Sequence, residues 1–298
     1  MPTEEKTPFD RRYIYIVLFV LISIPLLYPL NLPIPISPMS QDVWDATVAL
    51  SPGDIVVHSF DFGPSTLPEN EPQCSSHLFH CRELGLRVVA VAFWAAGGPL
   101  AHDIISEIYG EGYENTAAYG TEIVYIGYIP GAEVGMQTFG DSTWDAKGTD
   151  HYGTSLPDLA LMQEVRSVAD VTLWAEWTSG TPGEQQVIQF IQGRHQGENT
   201  DWPLVRGEHL LPIVAGSTAV SVPGMMPFYS AGQLVGILNG LAGAGEYEKL
   251  VNDVYPQYPY EQGPGLDAQS VAHILVILFV VIGNITWAIS KSGGGKSS

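Results

Sequence analysis

The apolar run at residues 271–289, Val-Ala-His-Ile-Leu-Val-Ile-Leu-Phe-Val-Val-Ile-Gly-Asn-Ile-Thr-Trp-Ala-Ile, limits this chain more than any other stretch. About 20 helical residues cross the hydrocarbon core of a bilayer, and the run has that length. A second apolar run occupies residues 13–30. A span at each end requires everything between them to lie on one side of a membrane.

The flanking charges orient the pair. Arg11 and Arg12 precede the first run, Lys291 and Lys296 follow the second, and the inner flanks at 31–47 and 258–269 carry no Lys or Arg. By the positive-inside rule both termini are cytoplasmic and the centre is extracytoplasmic. A cleaved signal peptide is the rival for the first run. The exit Ile34-Pro-Ile-Ser-Pro-Met-Ser40 lacks a small-x-small cleavage site, which favours an uncleaved anchor. Arg11-Arg12 fits a topogenic flank better than a twin-arginine signal. The expected organisation is a cytoplasmic tail 1–12, a transmembrane helix 13–30, a linker 31–47, an α/β domain 48–254, an aromatic and Pro-rich tether 255–269, a transmembrane helix 270–289 and a cytoplasmic tail 290–298.

Charge narrows the partners. Residues 31–269 hold seven basic and 29 acidic side chains, a formal charge of −22. Such a surface repels nucleic acid and anionic lipid headgroups. The small, polar end at 292–298 reads as disordered, and its Gly295-Lys296-Ser297 lacks the strand and helix of a phosphate loop.

Five runs rich in Val, Ile and aromatics read as strands: 55–62, 87–94, 122–129, 170–177 and 210–222. Helical spacing follows Pro72 (74–84), Pro99 (100–109) and Pro182 (183–192), and Pro is favoured in a first helical turn. Strands alternating with helices imply parallel pairing through right-handed crossovers. The unbroken apolarity of Val88-Val-Ala-Val-Ala-Phe-Trp94 fits a strand covered on both faces. The expectation is one doubly wound, mostly parallel, Rossmann-like sheet of about five strands, in the order 3-2-1-4-5, flanked by two transmembrane helices. Residues 131–164 lack periodicity and read as a long irregular loop, functional or a subunit contact. Residues 226–251, with Gly232, Gly236 and Gly240 at four-residue spacing, read as a helix suited to close packing. Tyr255-Pro-Gln-Tyr-Pro-Tyr260 reads as an extended tether at the membrane–water boundary.

Three groups of residues are candidates for chemistry. Cys74-Ser-Ser-His-Leu-Phe-His-Cys81 puts two Cys and two His within eight residues. Cys74, His77 and Cys81 fall near one helical face and form the candidate metal set, although the spacing matches no standard zinc pattern. A disulfide requires Cys74 to lie outside the helix, because seven residues of helix separate α-carbons by about 10 Å. Buried core thiols are the third reading. In an open α/β sheet ligands bind at the carboxyl ends of the strands. Those ends supply Gly97, Gly98, Ser179, Thr181, Ser217 and Thr218 as ligand-binding candidates, with ordinary turn chemistry as the alternative. In the order 3-2-1-4-5, Asp61 and Glu176 end two neighbouring strands, and with Trp94, Trp174 and Trp177 beside them the arrangement suits carbohydrate binding or glycoside hydrolysis.

Other motifs carry less. No Gly-x-Ser-x-Gly elbow occurs. Asp150-His151 lies in the irregular loop with His151 read as a solvated loop histidine, Gly243-Ala-Gly245 follows a helix where a dinucleotide motif needs a strand, and His273 reads as interfacial. No cofactor is implied. The leading expectation is a non-enzymatic, membrane-anchored protein that serves as a subunit of a membrane assembly or as a ligand-binding module. Its partners are the lipid bilayer and a protein partner or a second copy, and nucleic acid is excluded. Spans that contain no Asp, Glu, Lys or Arg form no polar transport path alone. The alternative is an extracytoplasmic hydrolase using Asp61 and Glu176.

Overall fold

The computed structural model describes residues 11–30 and 32–293; the remaining tail residues and Asn31 lie outside the described residues, and with them most of both expected cytoplasmic tails and the Gly295-Lys-Ser segment. Two compact units are present, one of 35–260 and one that joins the two ends of the chain.

In chain order the helices are α1 (Arg11–Leu27), α2 (Pro38–Val48), α3 (Leu67–Glu83), α4 (Gly97–Tyr109), α5 (Glu133–Asp141), α6 (Thr143–Lys147), α7 (Ala160–Glu164), α8 (Glu184–Val187), α9 (Val222–Ser230), α10 (Gly240–Val254) and α11 (Gly263–Gly293). The strands are β1 (Ile55–Asp61), β2 (Arg87–Ala92), β3 (Ile123–Tyr128), β4 (Leu173–Thr178), β5 (Leu204–Val205), β6 (Glu208–His209), β7 (Ile213–Ser217) and β8 (Gly236–Asn239).

Six strands form one sheet in the order β3-β2-β1-β4-β7-β8, all parallel, while β5 and β6 form a separate short hairpin. Counting sheet strands alone, this is the doubly wound order 3-2-1-4-5-6, one strand more than the sequence implies. Strand alternation sorts the side chains into two cores. Val57, Val91, Ile126 and Trp174 meet Met136, Phe139, Ile191 and Met225 on one face. Val56, Val88, Ala175 and Trp177 meet Leu78, Ile105 and Tyr247 on the other. Both faces are covered, which is why the strands read as continuous apolar runs.

The sixth strand corrects the helix expected at 226–251. Gly232 and Gly240 take left-handed backbone (φ 76 and 54), so the chain leaves α9 and enters α10 through turns. Gly236 lies so near α2 that an added Cβ would sit 2.5 Å from the Val43 nitrogen. The glycine spacing does serve close packing, but of a strand against a helix. Residues 31–47, read as linker, hold most of α2, whose Val43 and Thr47 are fully buried. The tether tyrosines pack instead on α3: Tyr258 is 7% exposed, its ring lies 4.6 Å from Phe79 and its hydroxyl 3.2 Å from Ser75 Oγ. The irregular segment 131–164 contains α5, α6 and α7.

In the terminal unit, α11 is the one described helix long and apolar enough to cross a membrane, over Gly263–Ile289. Ile274, Ile277, Leu278, Val280 and Val281 are exposed on it, with no protein covering them. α1 is apolar but has only 17 residues and contains Pro25. The Asp267 carboxylate accepts the backbone N–H groups of Leu30 (2.8 Å) and Leu32 (3.1 Å), which sets the end of α1 beside the start of α11. The two helices therefore run antiparallel.

Candidate functional site

The sheet separates the sequence candidates onto opposite faces. Asp61, Ser59 and Glu176 share the face of Val57 and Trp174, while His58 and Trp177 point to the face covered by α3. β1 and β4 are paired, with Ser59 opposite Glu176 and Asp61 opposite Thr178.

On the α3 face, His77 and Cys81 meet His58 rather than Cys74. Their donor atoms lie within 4.8 Å of one another, all fully buried. Cys74 turns away, its thiol 3.2 Å from the Glu71 carbonyl, and no disulfide forms. One helix carries both cysteines, so the seven-residue separation keeps them apart. His58 Nε2 to His77 Nδ1 is 3.0 Å, and Cys81 Sγ lies 3.7 and 3.6 Å from them. A tetrahedral zinc with ordinary bond lengths needs edges of about 3.4 Å between nitrogens and about 3.6 Å from nitrogen to sulfur, so distances alone come close to a metal seat.

Hydrogen-bond direction decides against it. The Trp177 indole N–H donates to His58 Nδ1 at 3.1 Å, and indole is a donor only. His58 Nδ1 is therefore an acceptor, and neutral His58 carries its hydrogen on Nε2. That hydrogen is donated to His77 Nδ1, so His77 carries its own on Nε2 and donates to Thr47 Oγ1 at 3.0 Å. Thr47 in turn donates to the Val43 carbonyl at 2.7 Å. A metal on His58 Nε2 would require an imidazolate. The cluster is instead a directed chain that ties β4, β1, α3 and α2 together. Burial lowers the pKa of His58 to about 3 and that of His77 well below the usual value, with the neighbouring His58 and His80 adding to the latter. Burial pushes the Cys81 thiol far up, so it is an inert core thiol.

On the other face Asp61 is fully buried and organises the end of β2. Its carboxylate accepts the Ser59 hydroxyl (2.5 Å) and the backbone N–H groups of Phe93 (2.6 Å) and Trp94 (2.8 Å). Glu176 is also fully buried; the Trp174 indole donates to its Oε2 at 2.9 Å, and Oε1 has no partner. Burial raises the pKa of both, and the Asp61 charge raises that of Glu176 further. The pair holds a proton to higher pH than free carboxyls do.

Above this pair a cleft of about 170 Å³ opens at the carboxyl ends of β4 and β7, lined by Thr181, Glu184, Gln185, Gln186, Ser217 and Ser221 together with Gly180. The Trp94 indole backs Gly180, where a Cβ would lie 2.9 Å from the ring, and it donates to the Pro182 carbonyl. Ser217 is fully buried and its hydroxyl has no partner. Glu184 is 8% exposed, and burial raises its pKa.

Two of the sequence-named ligand residues, Thr181 and Ser217, thus line one cleft. The others lie outside its lining. A Cβ on Gly97 would fall 1.8 Å from the Phe60 carbonyl oxygen, and Gly98 is buried against Tyr128. The Ser179 N–H extends the ladder to Asp61 O (3.2 Å), and the Thr218 hydroxyl lies 3.0 Å from that of Ser221. Glu184, Gln185 and Gln186 escaped sequence reasoning because they lie within a segment read simply as a helix. Gln73, also unforeseen, donates to the carbonyls of Ser217 (3.1 Å) and Gly240 (2.8 Å) and fixes the strand ends. Asp150 is buried, accepting the Tyr119 hydroxyl and two backbone N–H groups, while His151 beside it is exposed. The turn after β3 puts Ala132 at φ 47, ψ −114. Strained strand-to-helix turns of this kind hold the nucleophile of α/β-hydrolases, and here the side chain is a methyl.

No family model matches the chain, and no curated protein and no solved structure matches it. Function therefore rests on the site alone.

Proposed function

We propose that the protein is a membrane-anchored, non-enzymatic ligand-binding module. Its α/β domain lies outside the cytoplasm, α1 and α11 cross the membrane as an antiparallel pair, and both termini are cytoplasmic. The flanking basic residues, the apolar length of α11 and the Asp267 link between the two helices support the topology. In this topology the short α1 crosses with the aid of the apolar residues that follow it, Tyr28 to Leu30.

One observation carries the binding reading: Ser217, whose fully buried hydroxyl has no partner among the described residues, belongs to the lining of an open, polar cleft at the carboxyl end of a doubly wound sheet. A buried hydroxyl without a hydrogen bond costs about 1–3 kcal/mol. A ligand that bonds to it recovers that cost. Hydrolysis by Asp61 and Glu176 has less support, because both carboxyls are fully buried and the cleft lining includes neither.

The test is thermal unfolding of the full-length chain in detergent micelles, with and without a panel of small sugars, polyols, amino acids and nucleotides. Ser217→Ala removes the unpartnered hydroxyl, so the unliganded variant should melt about 2–4 °C higher than the parent for each kcal/mol recovered. The same variant should lose the ligand-induced shift that the parent shows. A parent chain that no member of the panel stabilises contradicts the binding reading.

A further inference from the structure

We infer that the ligand of this cleft is a small hydroxyl-bearing primary ammonium compound, an inference that rests on the ligand-binding reading above. The first argument is charge. Glu184 is the one ionisable group in the lining, and none of the described ion pairs involves it. Its carboxyl group is held by a backbone N–H and the Gln185 side chain, and no basic residue lines the cleft, so a cationic ligand would supply the counter-charge that the ionised form lacks. Asp61 and Glu176 lie on the same face of the sheet and the lining holds no basic residue, so an anionic ligand finds no counter-charge there.

The second argument is donor and acceptor count. An ammonium group offers three N–H bonds and no acceptor. The Glu184 carboxylate and the hydroxyl oxygens of Ser217, Ser221 and Thr181 are acceptors suited to it. The Gln186 Oε1 already accepts the Gly183 N–H at 3.1 Å and the Gln185 side chain bonds to Glu184, so the Gln186 amide N–H is the group suited to a ligand hydroxyl. The unpartnered Ser217 hydroxyl is independent of the carboxylate and points to the same occupant.

Size is the third argument. A cleft of about 170 Å³ is larger than a bare metal ion needs. It suits a molecule of a few carbons with hydroxyl groups.

Serinol (2-amino-1,3-propanediol) and glycerol form the decisive probe pair, because they differ only in an ammonium replacing the central hydroxyl. Calorimetric titration or saturation-transfer NMR on the full-length chain in micelles should show serinol binding about tenfold or more tighter than glycerol, the gain expected of a charge-assisted hydrogen bond. Glu184→Gln should bring serinol down to the affinity of glycerol. Ser221→Ala should weaken both probes and keep the preference, which separates loss of charge recognition from a damaged fold. Equal binding of the two probes, or a preference that survives Glu184→Gln, overturns the ammonium inference and leaves the cleft as a site for neutral ligands. If neither probe binds and no compound of the wider panel stabilises the chain, both readings fail.

Discussion

The indole N–H of Trp177 lies 3.1 Å from His58 Nδ1, and this bond sets the proton positions of four buried side chains. It makes Nδ1 an acceptor, sends the His58 hydrogen to His77, and through His77 and Thr47 ends at the Val43 carbonyl. Two histidines and a thiol with near-ideal metal edges are thereby committed to hydrogen bonding.

Trp177→Phe should reverse that commitment. Without the indole donor, His58 is free to carry its hydrogen on Nδ1, leaving Nε2 available beside His77 Nδ1 and the Cys81 sulfur. We expect the parent chain to give no thiolate-to-cobalt charge-transfer absorption when titrated with Co(II), and the variant to give one. The same band in the parent would show that the hydrogen-bond direction has been assigned wrongly.

Stability should pass through a maximum in mildly acidic solution, because two sets of buried groups titrate in opposite senses. His58 and His77 have folded pKa values below the unfolded value of 6.5, so the unfolded state takes up more protons and stability falls as pH drops below about 6.5. Asp61 and Glu176 have raised values. Their contribution is intact below the ordinary carboxyl range and is lost as pH climbs from 3.8 through about 6 for Asp61, and higher for Glu176. Glu176→Gln imitates the protonated carboxyl, so it should raise the melting temperature at neutral and alkaline pH and have little effect below pH 4. Thermal unfolding across pH 3–9 reads this directly; an equal effect at every pH would remove the carboxyl pair as its cause.

Topology is open to chemical labelling. Val220 is 88% exposed in the turn after β7, and both native cysteines are fully buried. A Val220→Cys variant should react with a membrane-impermeant maleimide on intact cells, while the parent stays unlabelled. Labelling that appears only after lysis would place the domain in the cytoplasm.

The sequence by itself determined the parallel, doubly wound architecture, the acidic composition of the central segment and the apolar C-terminal helix. Those properties are written in local periodicity, and local periodicity reflects burial on one face or two. It also named Asp61 and Glu176 as neighbours and Thr181 and Ser217 as strand-end residues. Only the tertiary structure decided what these residues do. His58 is 19 positions from His77 in the chain, and Trp177 is 119 positions from His58, so no local pattern records the bond that turns a metal-like cluster into a hydrogen-bond chain. Gly97 reads from the sequence as a ligand-binding candidate at a strand end, and its missing Cβ makes room for the Phe60 carbonyl of β1. Gly236 sat inside a helical pattern and became a strand because α2, nearly 200 residues earlier, lies against it. Ser217 and Glu184 belong to different strand-to-helix connections, and the parallel pairing of β4 with β7 brings those connections to one cleft. Spacing along the chain fixes which side chains share a face of an element; which faces meet, and which polar atoms are left without partners, depends on packing between elements far apart in the chain.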